Sequence, residues 1–165
     1  IGKPVGRALE LSRQNLDEAR RSVRDLRAAP LEDLSLVDAV SRLSKDIERD
    51  HCLTVTTETV GMDRPLTERI ETGLYRVVQE ALNNVAQHAD ATSVTLRLQA
   101  TPDQILLRLS DDGRGMPPDA ADGEGWGLVG MRERVRRLGG NFQLATSWTE
   151  GTEVTVELPL EADDG

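Results

Sequence analysis

Hydrophobic and polar positions divide this chain into two regimes. From residue 5 to 27, Val5, Leu9, Ser12, Leu16, Ala19, Val23 and Leu26 follow a 4-3-4-3-4-3 spacing. That is the seam of a helical bundle or coiled coil. Asp17 and Arg21 add an i,i+4 pair outside it. The seam is short and contains Ser12 and Ala19, so it requires partner helices or packing against the chain's own core. Pro30 is expected to end this helix. A capping box at Ser35 and Asp38 opens a second helix, marked by Leu36, Val40, Leu43 and Ile47, that runs to about Arg49. Leu53, Val55, Thr57 and Thr59 alternate as a strand, and Gly61 to Pro65 is a turn. A third helix spans about Thr67 to Gln87, with its apolar stripe at Ile70, Leu74, Val77, Ala81 and Val85. Strands are expected at Val94–Leu98 and Gln104–Ser110, joined through Thr101-Pro102-Asp103. Residues 112–127 form a glycine-rich loop. A helix from about Leu128 to Leu138 follows, stopped by Gly139-Gly140. Strands at Asn141–Thr146 and Thr152–Leu158 complete a mixed α/β domain, with helices on one sheet face.

Composition narrows the picture. Of 165 residues, 38% are hydrophobic and only 2% aromatic, so the core is built from Leu, Val, Ile and Ala. The net charge of −9 disfavours polyanionic partners such as nucleic acid. The single cysteine, Cys52, forms no intrachain disulfide and no zinc site alone. Its plain reading is a small buried hydrophobe. No run approaches the length of a membrane helix, and no signal peptide is visible. The chain starts at Ile1 and reads as a fragment, cytoplasmic in placement, of a longer protein that can carry a membrane anchor.

Three clusters carry candidate chemistry. On the third helix, Glu80, Asn84 and His88 lie one turn apart on one line. Polar groups at the edge of an apolar stripe cost free energy unless paired, which suits a ligand, a metal or a structural network. The Asn84 amide oxygen suits Mg²⁺, which takes one or two protein oxygens plus waters and phosphates. Glu80 can hold a metal-bound water or accept a proton, and His88 can be a structural hydrogen-bonder. The second cluster, Asp111-Asp112-Gly113-Arg114-Gly115-Met116, ends a strand. Asp111 can accept from an exocyclic amine, Asp112 is expected to be exposed, and the glycines permit close backbone approach. Asp-Gly is also ordinary turn chemistry. In the third, Gly125-Trp126-Gly127-Leu128-Val129-Gly130 precedes a helix whose N-terminus attracts phosphate. It has the letters of a dinucleotide fingerprint without the strand that should precede one. Arg132 and Arg134 lie close enough to suggest a phosphate role beside their reading as a solvated face.

In order and spacing, these clusters resemble the motifs of sensor histidine kinases. Glu80 to Ala89 is similar to their N-box, Asp111 to Gly115 to the first glycine box, and Gly127 to Arg134 to the second. Leu138-Gly139-Gly140 and Gly151-Thr152 match the closing motifs. The resemblance covers residues 31–160 and is best to the subgroup of the nitrate/nitrite sensors and the membrane-fluidity sensor. Glu18 to Val23 resembles the end of that subgroup's dimerisation helix. The resemblance implies a two-layer Bergerat-type α/β sandwich with about five strands. It implies domains at 1–29 (part of a dimerisation domain), 31–160 (ATP-binding) and 161–165 (acidic tail). By matched position, Asn84 holds Mg²⁺, and Glu80 is the catalytic base-like residue, touching the metal through water. Asp111 binds the adenine amine. Gly113, Gly115, Met116 and Thr152 shape the base pocket. Gln87 and His88 border the nucleotide, and Gly125, Gly127, Leu128, Val129 and Gly130 hinge a lid, residues 116–126, over the phosphates. ATP, Mg²⁺, an upstream phosphoacceptor histidine, a response regulator and a second copy of the full-length protein are the implied partners.

Two departures stand out. The N-box often has Lys or Arg where this chain has Gln87, which removes a charged phosphate contact. The phosphoacceptor is missing, since neither His51 nor His88 lies on an upstream helix beside an acid. The isolated chain is therefore expected to bind nucleotide without phosphorylating itself. The alternatives are a nucleotide-sensing module without catalysis and an anti-sigma-type serine kinase; a dinucleotide oxidoreductase is more distant.

Overall fold

In the computed structural model, the described residues are 30–117, 125, 127–147 and 149–161, with single helical positions at 6, 9, 12, 15 and 16. The chain runs through a short helix α1 (Pro30–Asp33), α2 (Leu36–His51), β1 (Thr54–Val60) and α3 (Glu68–Asn84). A π-helical turn follows at Val85–Ala89, then β2 (Ser93–Ala100), β3 (Gln104–Asp111), α4 (Leu128–Arg137), β4 (Asn141–Ser147) and β5 (Gly151–Pro159). The five strands form one sheet in the order β1-β2-β3-β5-β4. β1 and β2 pair in parallel and the other neighbours are antiparallel, so the sheet is mixed as expected.

Alternation along the strands decides what the sheet faces. Val94, Leu96 and Leu98 of β2, Ile105, Leu107 and Leu109 of β3, and Val154, Val156 and Leu158 of β5 are all buried. They meet Leu74, Val77, Val78, Ala81 and Leu82 of α3, and Leu128, Met131 and Val135 of α4. The opposite sheet face carries charge, including the Arg97–Glu58 pair at 2.6 Å between β2 and β1. Exposed pairs of this kind contribute little, so burial on the helical face holds the layers together.

The helix signals act as read, with adjustments. Ser35 caps α2, accepting from the Asp38 N–H at 3.1 Å while its hydroxyl donates to the Asp38 carboxylate at 2.8 Å. Gly139, at φ +78°, closes α4. Pro30 opens a helix, as suits a residue whose missing N–H is not needed at a first helical position, and the helix end expected just before it lies outside the described residues. Cys52 is exposed, not buried. It holds the left-handed C-cap of α2 at φ 52°, a place glycine more often takes. Leu9 and Leu16 of the seam are each 56% exposed, so they do not pack into this domain's core. Ser12 of the seam is exposed too, and Val5, Ala19, Val23, Leu26 and the Asp17/Arg21 pair lie outside the described residues.

Candidate functional site

The site forms where three elements end at the same edge of the sheet. In β3, residues 105, 107 and 109 face the helices, and the same alternation points Asp111 inward, where it is 7% exposed. α3 ends there at Asn84, which is also buried. β5 begins there at Gly151. Ala81, Asn84, Asp111, Met116, Leu128 and Thr152 thereby line one narrow cavity of about 20 Å³.

Asp111 carries the electrostatics of this cavity. Burial pushes its carboxyl above the usual range, opposed by N–H groups of Gly113 and Thr152. The Gly113 N–H donates to Oδ1 at 2.8 Å. A buried carboxylate without a cationic partner is an efficient acceptor for a neutral N–H donor. Asp112, its neighbour, is exposed as expected but has a definite task. Its two oxygens accept from the N–H and hydroxyl groups of Thr92 and Ser93 at 2.6–2.9 Å. The Thr92 hydroxyl and the Ser93 N–H lead in holding its carboxyl well below the usual carboxylate range. Asp112 clasps the start of β2 to the end of β3, and Asp111 faces the cavity.

The loop after β3 is held on both sides. On one side the Arg114 N–H donates to the Ala89 carbonyl at 2.8 Å, and Arg114 Nε donates to the His88 carbonyl at 2.9 Å. On the other, the Thr149 N–H donates to the Arg114 carbonyl at 2.7 Å, and the Met116 N–H donates to Thr146 Oγ1 at 2.8 Å. A Cβ at Gly113 would strike the Ala89 carbonyl oxygen, and one at Gly115, where φ is +72°, would strike that of Ser147. The glycines let the loop thread between the π turn and the β4–β5 hairpin.

That π turn revises the straight line drawn through Glu80, Asn84 and His88. The α-helix ends at Asn84, and the next five residues wind more widely. His88 is half-buried, Gln87 is exposed, and neither lines the cavity. Glu80 sits at the start of α4. A Cβ at Gly127, the left-handed N-cap of that helix, would overlap the Glu80 carboxylate. The carboxylate therefore rests on the backbone of the second glycine cluster. Leu128 lines the cavity, whereas Gly125, Val129 and Gly130 are exposed. The expected lid lies mostly outside the described residues, including Trp126. Arg132 is placed over the Phe142 ring, 5.7 Å from its centroid, which accounts for it by cation–π packing against β4.

Pattern reading missed much of the apolar lining. Ala81 and Val85 read as core stripe, and Ala89, Leu109, Met131 and Val154 carried no signal beyond hydrophobicity. The cavity-facing parity of β3 was the usable clue, since it selects Leu109 along with Asp111.

A family model described as histidine kinase-, DNA gyrase B-, and HSP90-like ATPase matches residues 69–162. The signal transduction histidine-protein kinase/phosphatase UhpB of Salmonella typhimurium is 40% identical over 159 residues, which is 95% of this chain and 31% of that protein. The signal transduction histidine-protein kinase/phosphatase DegS of Brevibacillus brevis is 30% identical over 155 residues, 94% of this chain and 40% of that protein. The chain thus spans roughly a third of the length of these curated relatives. The histidine kinase domain of the Erythrobacter litoralis EL346 blue-light activated histidine kinase superposes with a TM-score of 0.61 at 24% identity, over 77% of this chain and 62% of that one. The mycobacterial sensor histidine kinase MprB gives 0.58 at 22% identity, over 76% of this chain and 95% of that one. These last two likenesses concern the fold.

Proposed function

We infer a function from one premise: the chain belongs to the histidine kinase-, DNA gyrase B-, and HSP90-like ATPase family. Within it, the chain acts as the ATP-binding catalytic domain of a sensor histidine kinase. In the full-length protein it delivers the γ-phosphoryl of ATP to a histidine of an upstream dimerisation domain, for relay to a response regulator. Residues 31–160 are the catalytic domain, residues 1–29 the end of the dimerisation helix, and residues 161–165 a tail. The similarity to UhpB and DegS, both histidine-protein kinase/phosphatases, supports this reading.

The observation that carries it is the buried, inward-facing Asp111 sharing one cavity with Asn84 and Thr152. Asp111 accepts the exocyclic amine of adenine. A purine ring is larger than the cavity, so its entry displaces adaptable lining, and unbranched Met116 is the side chain best suited to yield. Asn84 lines the same cavity as Leu128, the first residue of α4, and at that helix N-terminus backbone N–H groups and the helix dipole favour phosphate. Among the described residues no group of three His, Cys, Asp or Glu could hold a metal ion. The Asn84 amide oxygen is nonetheless a hard donor that fits a Mg²⁺ whose remaining positions are filled by phosphates and water, with Glu80 reaching the metal through one of those waters. Mg²⁺, when bound, neutralises charge on the phosphates. Glu80 then orients the imidazole nucleophile or takes its proton. Positioning does most of the remaining work, because phosphoryl transfer needs little covalent help from the enzyme.

Calorimetry with ATP, with and without Mg²⁺, tests the core of the proposal. Saturable binding that strengthens with Mg²⁺ is expected, and no binding in either condition would overturn it. In the full-length protein, Glu80→Gln should abolish phosphorylation while leaving ATP affinity within a few-fold. The chain by itself should take no acid-labile phosphate on His51 or His88 from labelled ATP.

A further inference from the structure

β1 is an outer strand, so one of its edges has no neighbouring strand in the sheet. Its register with β2 fixes which residues face that edge. Thr54 donates its N–H to the Thr92 carbonyl at 3.0 Å, and alternate residues of a parallel strand bond the same neighbour. Val55, Thr57 and Thr59 therefore turn their backbone N–H and C=O groups outward. The edge is protected at one end only. Glu48 of α2 reaches across and accepts the Val55 N–H at 2.8 Å. Among the described residues, nothing accepts the N–H of Thr57 or Thr59. β1 contains no Pro or Lys, the residues that often blunt a bare edge.

The open end leads into a groove. Thr59 lines a cavity of about 630 Å³ together with the start of α2, the turn from Gly61 to Pro65 and Glu71 of α3. That volume accommodates a long side chain. The turn is firmly placed, since Arg64 Nη1 donates to the carbonyls of Thr101 and Pro102 at 3.2 and 3.0 Å. Asp111 pairs with Val94 near the start of β2, whereas a Cβ at Gly61 would strike the carbonyl oxygen of Ala100 at its end. The groove thus lies at the opposite end of the sheet from the Asp111 cavity. Asp38, Asp63 and Glu71 line it, and Arg64 is the one cation among its lining residues. A cationic side chain is the charge this groove complements.

We propose that the open half of β1 docks an extended, basic segment of a partner protein, which adds a strand at Thr57 and Thr59 and sets a Lys or Arg side chain in the groove. A second copy of the chain is a poor occupant, because each copy carries a net charge of −9 and the same acidic groove. The surface is separate from the nucleotide site and does not depend on it. The probe is a capped peptide of alternating Thr and Val that ends in two Lys, titrated into the isotope-labelled 165-residue chain at low salt. Saturable binding is expected, with amide exchange at Thr57 and Thr59 slowed at least about tenfold. The same peptide ending in two Glu should bind at least about tenfold more weakly. Thr59→Pro should weaken the Lys peptide by a similar factor and melt close to wild type, because proline there removes only an outward-facing N–H at a sheet edge. No saturable binding of the Lys peptide up to about 1 mM would overturn the proposal. So would equal affinity for the two peptides, binding that leaves exchange at Thr57 and Thr59 unchanged, or a folded Thr59→Pro that binds like wild type. Where Thr59→Pro melts early, the exchange measurement on the unmodified chain decides. A peptide-free dimer that protects the same two amides would assign the edge to a second copy and overturn the basic partner.

Discussion

The two glycine-rich runs flanking the cavity use the same residue for different ends. From Gly113 to Gly115 the chain is squeezed between backbone segments. Added Cβ atoms would meet the Ala89 and Ser147 carbonyl oxygens, which cannot rotate away. The second run is open at Gly125 and Gly130. Among the described residues, nothing lies within 4 Å of a Cβ built at Gly125 or Gly130, and of the three glycines in this run only Gly127 is pressed, against Glu80. The first run is a fixed wall, while the second meets the site at Gly127 and Leu128 and leaves Gly125 and Gly130 open. Similar letters therefore predict unlike responses to substitution.

The wall should be the least tolerant. Gly115→Ala must take φ +72° and overlap the Ser147 carbonyl. The left-handed conformation alone costs about 1–2 kcal/mol, and backbone displacement adds to it. A total of about 3 kcal/mol or more is expected in chemical denaturation, with ATP binding lost. A variant as stable as wild type would mean that the wall is soft. At Gly127→Ala the obstacle is a flexible carboxylate, so stability should fall by only about 1–2 kcal/mol. Because the displaced group is Glu80, kinase turnover in the full-length protein should fall far more than ATP affinity.

The wall itself contains a second contrast, between Asp111 and Asp112. Asp111→Asn keeps an acceptor for Gly113 but offers adenine a weaker partner, so ATP affinity should drop at least about tenfold. Stability should hold or rise. Burial raises the folded pKa of Asp111 above its unfolded value, so the ionised group opposes folding at neutral pH. Asp112→Asn should do the opposite, leaving ATP affinity nearly intact while loosening the clasp on Thr92 and Ser93 by about 1 kcal/mol, discounted for exposure. Its folded pKa is depressed, so its contribution is present above the ordinary aspartate range and is lost as pH falls through and below it. Melting curves from pH 7 down to 3 should therefore converge for wild type and Asp112→Asn. Parallel curves would remove Asp112 from the clasp.

These contrasts mark what a single sequence can reveal. The alternation of Ile105, Leu107 and Leu109 made the inward direction of Asp111 legible, because period two is local. The Ser35 cap and the Gly139 stop were legible for the same reason. The clasp of Asp112 was not, since it depends on pairing across 20 residues between Thr92 and the end of β3. The collision of Gly115 with Ser147 likewise depends on how β4 and β5 return to the site. The π turn after Asn84 has no periodic signature, so an ideal helix carried His88 onto a line that the chain leaves. Left-handed Cys52 at the end of α2 ran against composition, which favours burying a cysteine.

The smallest effect separates the two runs most sharply, because its sign reverses. Gly130 lies within α4, is exposed, and has open space where a Cβ would stand. Glycine in a helix interior is about 0.5–1 kcal/mol less favourable than alanine, through lost backbone entropy alone. Gly130→Ala should thus stabilise the domain by about that amount in the same denaturation assay that shows Gly115→Ala to be disruptive. If Gly130 serves only the helix, ATP affinity stays unchanged. If phosphate approaches the first turn of α4 closely enough to need a bare backbone, stability still rises while ATP affinity falls. Measuring both quantities on one variant therefore shows whether Gly130 serves the helix alone or a bound phosphate as well.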